Sequence, residues 1–194
     1  MPVRRVRIWP DTALKEIAKP VTLFDQQLED LVTDLWDTMY AAHGIGLAAT
    51  QVAVPLQVLV IDLDPKAKAK TDPTLRDELK AWGYETKVVL INPQITAAEG
   101  AIEWDEGCLS VPGVTETVTR KDHIVVSSKN LRGQEVRLEA QGLFAVAIQH
   151  EMDHLVGKVF VEYLSKVKRD LIRRKMDRLR DEVEDNGVIA AQAL

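Results

Sequence analysis

Cysteine is nearly absent from this chain: Cys108 is the single one in 194 residues. No intramolecular disulfide can form, and a lone thiol suits a reducing compartment, its role being metal binding, catalysis or packing. Long apolar runs are missing as well. No stretch reaches the ~20 residues that a membrane span requires. Arg4, Arg5 and Arg7 near the start are not followed by the apolar segment of an export signal. The expectation is a cytoplasmic protein with no membrane partner. Net positive charge is lacking too: 25 Lys and Arg stand against 30 Asp and Glu, a balance of −5 that gives no reason to expect direct DNA binding. With no internal repeat and no Gly/Ser-rich linker, residues 1–194 read as a single domain. The 46% apolar and 28% charged content is that of an ordinary globular protein, large enough to bury a core without staples.

What is present divides into helices and strands by hydrophobic period. Residues 25–43 predict an amphipathic helix with Leu28, Leu31, Val32, Leu35, Met39 and Ala42 on one face and Gly44 as its stop. Residues 56–63 and 87–91 are apolar runs of strand length. Between them, 64–83 is a polar, Lys-rich surface insertion, in which Asp72 and Pro73 predict the start of a short helix over 74–82. Residues 115–141 predict antiparallel strands with a turn at 130–133. Residues 143–156 are apolar enough for a buried helix, and 166–183 predict a C-terminal amphipathic helix with Val167, Leu171, Met176, Leu179 and Val183 inward. Helices and strands segregate along the chain. The predicted class is α+β, with antiparallel and mixed sheets around the buried helix.

That buried helix carries His150-Glu151-Met152-Asp153-His154. Positions i and i+4 share a helix face, so both imidazoles can reach one ion, while Glu151 can touch a water beside it. Two histidines and two acids in one buried turn need partners, because unpaired burial of polar groups costs kilocalories. A catalytic metal usually takes three protein ligands and one open position. The continuation through Gly157 and Phe160 offers no third histidine, and where a downstream glutamate would stand the next helix offers Arg173 and Arg174, with Glu182 and Glu184 further on. The attractive third ligand lies upstream, at Cys108 in Glu106-Gly107-Cys108-Leu109-Ser110.

Three segments occur here in order: Gly44-Ile45-Gly46-Leu47-Ala48-Ala49-Thr50-Gln51, then Glu106 to Ser110, then Gln149-His150-Glu151-Met152-Asp153-His154. Together they resemble the three signature motifs of bacterial-type peptide deformylases, and the similarity runs over nearly the whole chain. The resemblance implies hydrolysis of the formyl group from the N-formylmethionine of nascent peptides. It implies Cys108, His150 and His154 as metal ligands, Glu151 as acid/base, and Gln51 with the Leu109 N–H as oxyanion donors. It implies Fe²⁺ as the native ion, with Ni²⁺ or Co²⁺ as active substitutes and Zn²⁺ a poorer one; the donor set alone would suit zinc equally.

The resemblance further implies that Ile45, Gly46 and Gly107 pair with the peptide backbone, and that Ile45, Trp104, Leu143, Val146 and the His150 ring line the methionine pocket. Leu143 and Val146 lie about a turn or two before His150 on its face of the helix. Trp104 and Thr115 depart from the common pattern, where a smaller aliphatic residue and, in some relatives, an arginine stand. The C-terminal helix gathers Lys166, Lys168, Arg169, Arg173, Arg174, Lys175, Arg178 and Arg180 against Asp170 and Asp177. A solvated face explains such a run; the resemblance adds docking on the ribosome near the exit tunnel. Rival readings are a general HExxH peptidase, a binding module that has lost its chemistry, and a cysteine hydrolase pairing Cys108 with His123.

Overall fold

The computed structural model describes residues 3–63 and 87–186, with side chains to 180. The surface insertion expected over 64–83, with its helix at 74–82, and Val183 as a packed side chain lie outside the described residues. The first helix, α1 (Gln26–Ala41), begins where Asp25 accepts the Leu28 N–H at 3.2 Å, satisfying one of the free donors of its first turn. The strands are β1 (Gly46–Ala48), β2 (Val58–Asp62), β3 (Lys87–Glu99), β4 (Ile102–Cys108), β5 (Val111–Arg120), β6 (His123–Lys129) and β7 (Glu135–Gln141). They are followed by α2 (Gly142–Leu155) and α3 (Lys166–Asn186).

A five-stranded sheet runs β1-β2-β3-β6-β7, and β4 with β5 forms a separate two-stranded ribbon. Every ladder is antiparallel, and the one parallel pairing among the described residues is an isolated bridge from Lys19 to Leu56. The α+β class therefore holds, while among the described residues the expected mixed sheet reduces to that bridge. The turn at 130–133 is made by Asn130, whose side-chain oxygen accepts the N–H groups of Arg132 and Gln134.

The apolar run at β2 has a simple cause. Its odd residues, Leu59 and Ile61, face α2 together with Leu90, Ile124, Val126 and Phe144. Its even residues, Val58 and Val60, face α1 together with Leu31, Leu35 and Met39. A strand covered on both sides cannot alternate. Pinned between two cores, the sheet gives α2 and the edge strand β1 a fixed relation, and the site is built on that pair.

A third core joins the β4–β5 ribbon to α3 through Val111, Val118, Phe160, Ile172 and Met176. Here the expected inward face of the last helix needs correction. Met176 is fully buried and Leu179 packs against the same core, but Val167 and Leu171 are 70% and 60% exposed, and Ile172 takes the inner position. Two apolar rows lie side by side on this helix, and only contact with Val111 and Val118 decides which is covered.

Candidate active site

Three elements converge on one cleft of about 450 Å³: the β1 edge, the end of β4, and α2. From α2, His150, Glu151 and His154 are all buried. From the end of β4, Cys108 brings its sulfur to 3.3 Å from His154 Nε2. Cys108, His150 and His154 offer three donor atoms within 4.8 Å of one another. An ion with one thiolate and two imidazole ligands sets S and N about 3.5 Å apart at ordinary bond lengths, so this set fits a divalent metal. The fit extends to the rings. His150 Nδ1 lies 2.7 Å from Glu106 Oε2, which leaves Nε2 as its free donor.

Glu106 is itself gripped by Arg120, at 2.6 Å from Nε and 3.0 Å from Nη2, and Arg120 Nη1 reaches Asp153 Oδ2 at 2.5 Å. Burial pushes the Glu106 carboxyl up, but Arg120 and His150 overcome this and hold it below its ordinary value. Burial, with the charges of His150 and Arg120, drives the His154 imidazole well below its usual range, keeping it in the neutral form that coordinates. Glu151 is pushed up to about 7 by burial, with the Glu106 carboxylate adding to the rise against the pull of His150. Its Oε2 is buried with no hydrogen-bond partner among the described residues. A carboxylate so placed, next to but not in the donor set, is poised to exchange protons.

Gln51 follows β1 in a short 3-10 turn, and its side chain is fixed at the carbonyl end. Its Oε1 accepts the Ala48 N–H at 2.8 Å, so its Nε2 turns to Ser110 Oγ at 3.1 Å and Cys108 Sγ at 3.6 Å. Leu109 follows Cys108 and lines the same cleft, as do Ile45, Gly46, Gly107, Trp104, Leu143 and Val146. All twelve residues expected at the site are thus brought together. The Ile45 carbonyl accepts the Asp62 N–H at 2.9 Å, so alternation along the strand turns the backbone of Gly46 to the open edge of β1.

His123 is not among them. It pairs with Glu99 at 3.2 Å, and the imidazole beside Cys108 is that of His154, so the Cys108–His123 reading falls. Sequence reasoning gave no role to Glu106, Arg120 or Ser110. Glu106 stood inside the cysteine motif, and the need of Asp153 for a partner was evident, but nothing marked Arg120 as that partner.

An α+β domain that aims two histidines, a cysteine and a buried carboxylate into one cleft has the make-up of a metallohydrolase. The model of the polypeptide deformylase family matches residues 3–170, and the chain belongs to that family. The peptide deformylase of Saccharophagus degradans is 47% identical over 173 residues, covering 88% of this chain and 90% of its own. That of Alkalilimnicola ehrlichii is 43% identical over 179 residues, covering 92% of each. The crystal structure of a peptide deformylase from Legionella pneumophila superposes with a TM-score of 0.80 at 39% identity, covering 93% of this chain and 96% of its own. The Ehrlichia chaffeensis enzyme in complex with actinonin also gives 0.80, at 36% identity, covering 92% and 98%.

Proposed function

We propose that the protein removes the formyl group from the N-terminal formylmethionine of newly made polypeptides, releasing formate, with Cys108, His150 and His154 holding the metal. The observation that carries the reading is the buried Glu151 carboxylate beside that donor set, its Oε2 without a hydrogen-bond partner among the described residues, in a cleft walled by open strand edges. The reading of the ion is Fe²⁺, with Ni²⁺, Co²⁺ or Zn²⁺ able to occupy the same donors. When bound, the ion supplies a Lewis acid for the formyl carbonyl and acidifies water.

The protein supplies the rest. Glu151 takes a proton from the attacking water and returns it to the departing amine nitrogen, a role worth roughly 10²–10⁴-fold. Gln51 Nε2 and the Leu109 N–H meet the negative charge that develops on the formyl oxygen, each such donor being worth ~10²–10³ in rate. Fixing the other end of the Gln51 amide on Ala48 means the donor need not be ordered during the reaction. Gly46 and Gly107 present backbone groups on the facing edges of β1 and β4, where an extended peptide adds as a strand. The methionine side chain enters between Ile45, Leu143, Val146 and Trp104.

On this reading the reaction occurs in the cytoplasm on chains leaving the ribosome, where the exposed basic face of α3 would meet ribosomal phosphate. Charge reversal at Arg174 and Arg178 would abolish low-salt co-sedimentation with ribosomes. Deletion of the helix is the poorer test, because it would also remove Ile172 and Met176 from the third core and uncover Val111 and Val118.

Hydrolysis of formyl-Met and acetyl-Met tripeptides, followed by formate and free-amine release, tests the activity. Equal formate and amine from the formyl peptide alone is expected. Cleavage of internal bonds in unformylated peptides would replace this reading with a general peptidase.

A further inference from the structure

The hydrogen-bonded chain behind His150 does not end at Arg120. Tyr163, in the 3-10 turn Phe160–Tyr163 that follows α2, donates its hydroxyl to Asp153, at 2.9 and 3.1 Å from the two carboxylate oxygens. The Tyr163 ring also lies against the guanidinium it helps to place, with Arg120 Cζ 4.7 Å from the ring centre. A continuous path therefore runs from a half-exposed phenol through Asp153, Arg120 and Glu106 to the Nδ1 of a metal-ligand histidine.

We propose that Asp153 and Tyr163 are positioning residues of the metal centre, acting through Arg120 to keep Glu106 aimed at His150. This rests on the reading of Cys108, His150 and His154 as the metal ligands. The geometry argues for more than a structural ion pair. Glu106 has two oxygens, and one of them, Oε2, serves both Arg120 Nη2 and His150 Nδ1. Any swing of the guanidinium therefore moves the atom that orients the imidazole. Two donors of Arg120 are spent on Glu106, and Asp153 holds a third on the other side, so the fork cannot rotate about its bond to Glu106.

Asp153 does a second thing. Arg120 is buried behind Glu106, and the Asp153 carboxylate bonded to its other side offsets its charge. Tyr163 fixes Asp153 with a neutral donor, so it orients without adding charge. His154 lacks any such support: its Nδ1 is buried with no hydrogen-bond partner among the described residues. The orientation of the ligand pair thus leans on the His150 side.

The test uses the full chain loaded with Co²⁺, whose affinity is read by chelator competition and whose visible spectrum reports ligand geometry. Asp153→Asn should weaken cobalt binding roughly 10-fold and shift the spectrum, with Tyr163→Phe acting in the same direction but less. The double variant should match Asp153→Asn alone, because both act along one path. Lys168→Ala, which breaks the neighbouring pair with Glu116, is the control and should change neither readout. Tyr163→Phe keeps the ring, so its metal-free form should unfold where the parent does. Unchanged affinity and spectrum in both single variants would overturn the proposal. A parent protein that binds no cobalt would instead overturn the metal centre beneath it.

Discussion

Gly46 and Glu151 share one space: a Cβ at position 46 would stand 2.9 Å from the Glu151 carboxyl carbon and closer still to its Oε1. The glycine on β1 is therefore the floor on which the proposed proton carrier lies. Gly46→Ala should leave the fold intact and push the carboxylate aside. A displacement of about 1 Å costs on the order of 10²-fold in rate, read as kcat on a formyl-Met peptide with metal content unchanged. Parental kcat in this variant would show that Glu151 does not work from this position.

Glu151→Gln should fold and retain its ion but lose roughly 10²–10⁴-fold in turnover. The pH profile carries the same assignment. A carboxyl must be ionised to accept a proton, so the rate falls as pH drops through its value. That value is about 7 for the metal-free site, and a bound cation favours the charged form, so the acid limb of the loaded enzyme should lie below about 7. Glutamine does not titrate, so any residual activity of the variant should lose this limb; an identical limb would assign it to another group.

Glu106 gives a stability prediction with a defined sign. Its folded-state value lies below the ordinary one, so its ionised form stabilises the fold above the unfolded-state value, and that stability is lost as pH falls through the folded value. Glu106→Gln should cost about 3–5 kcal/mol at neutral pH, as breaking a buried pair does. The gap to the parent should narrow in acid. Urea unfolding at neutral and acid pH measures both, and a pH-independent gap would remove Glu106 from the account.

The covered face of α3 is testable in the same assay. Met176→Ala should cost about 2–5 kcal/mol as a core truncation, while Leu171→Ser should change stability by no more than about 0.5 kcal/mol. Equal losses would restore the inward face that hydrophobic period alone suggests.

These cases mark how far the sequence could be read. The α+β class, α1, the β6–β7 turn and the helix bearing His150 and His154 were legible because period and turn chemistry are local signals. The donor set was legible because i, i+4 histidines share a face and the chain has one thiol. Two things were not. The face of α3 depends on what Val111 and Val118 leave open, a tertiary fact. The chain from Tyr163 to His150 joins residues from β4, β5, α2 and the following turn, and Glu106 and Arg120 lie 14 positions apart with no period to announce them. A charge set in an apolar helix without a local partner was the one visible sign, at Asp153.

The central claim is that Cys108 completes the metal site with His150 and His154, and metal content tests it most directly. Protein purified without oxygen should carry one divalent ion per chain. Cys108→Ser should lose that ion, or bind it weakly with an altered cobalt spectrum, and lose formate release with it. Full metal content, an unchanged spectrum and undiminished turnover in Cys108→Ser would contradict the account.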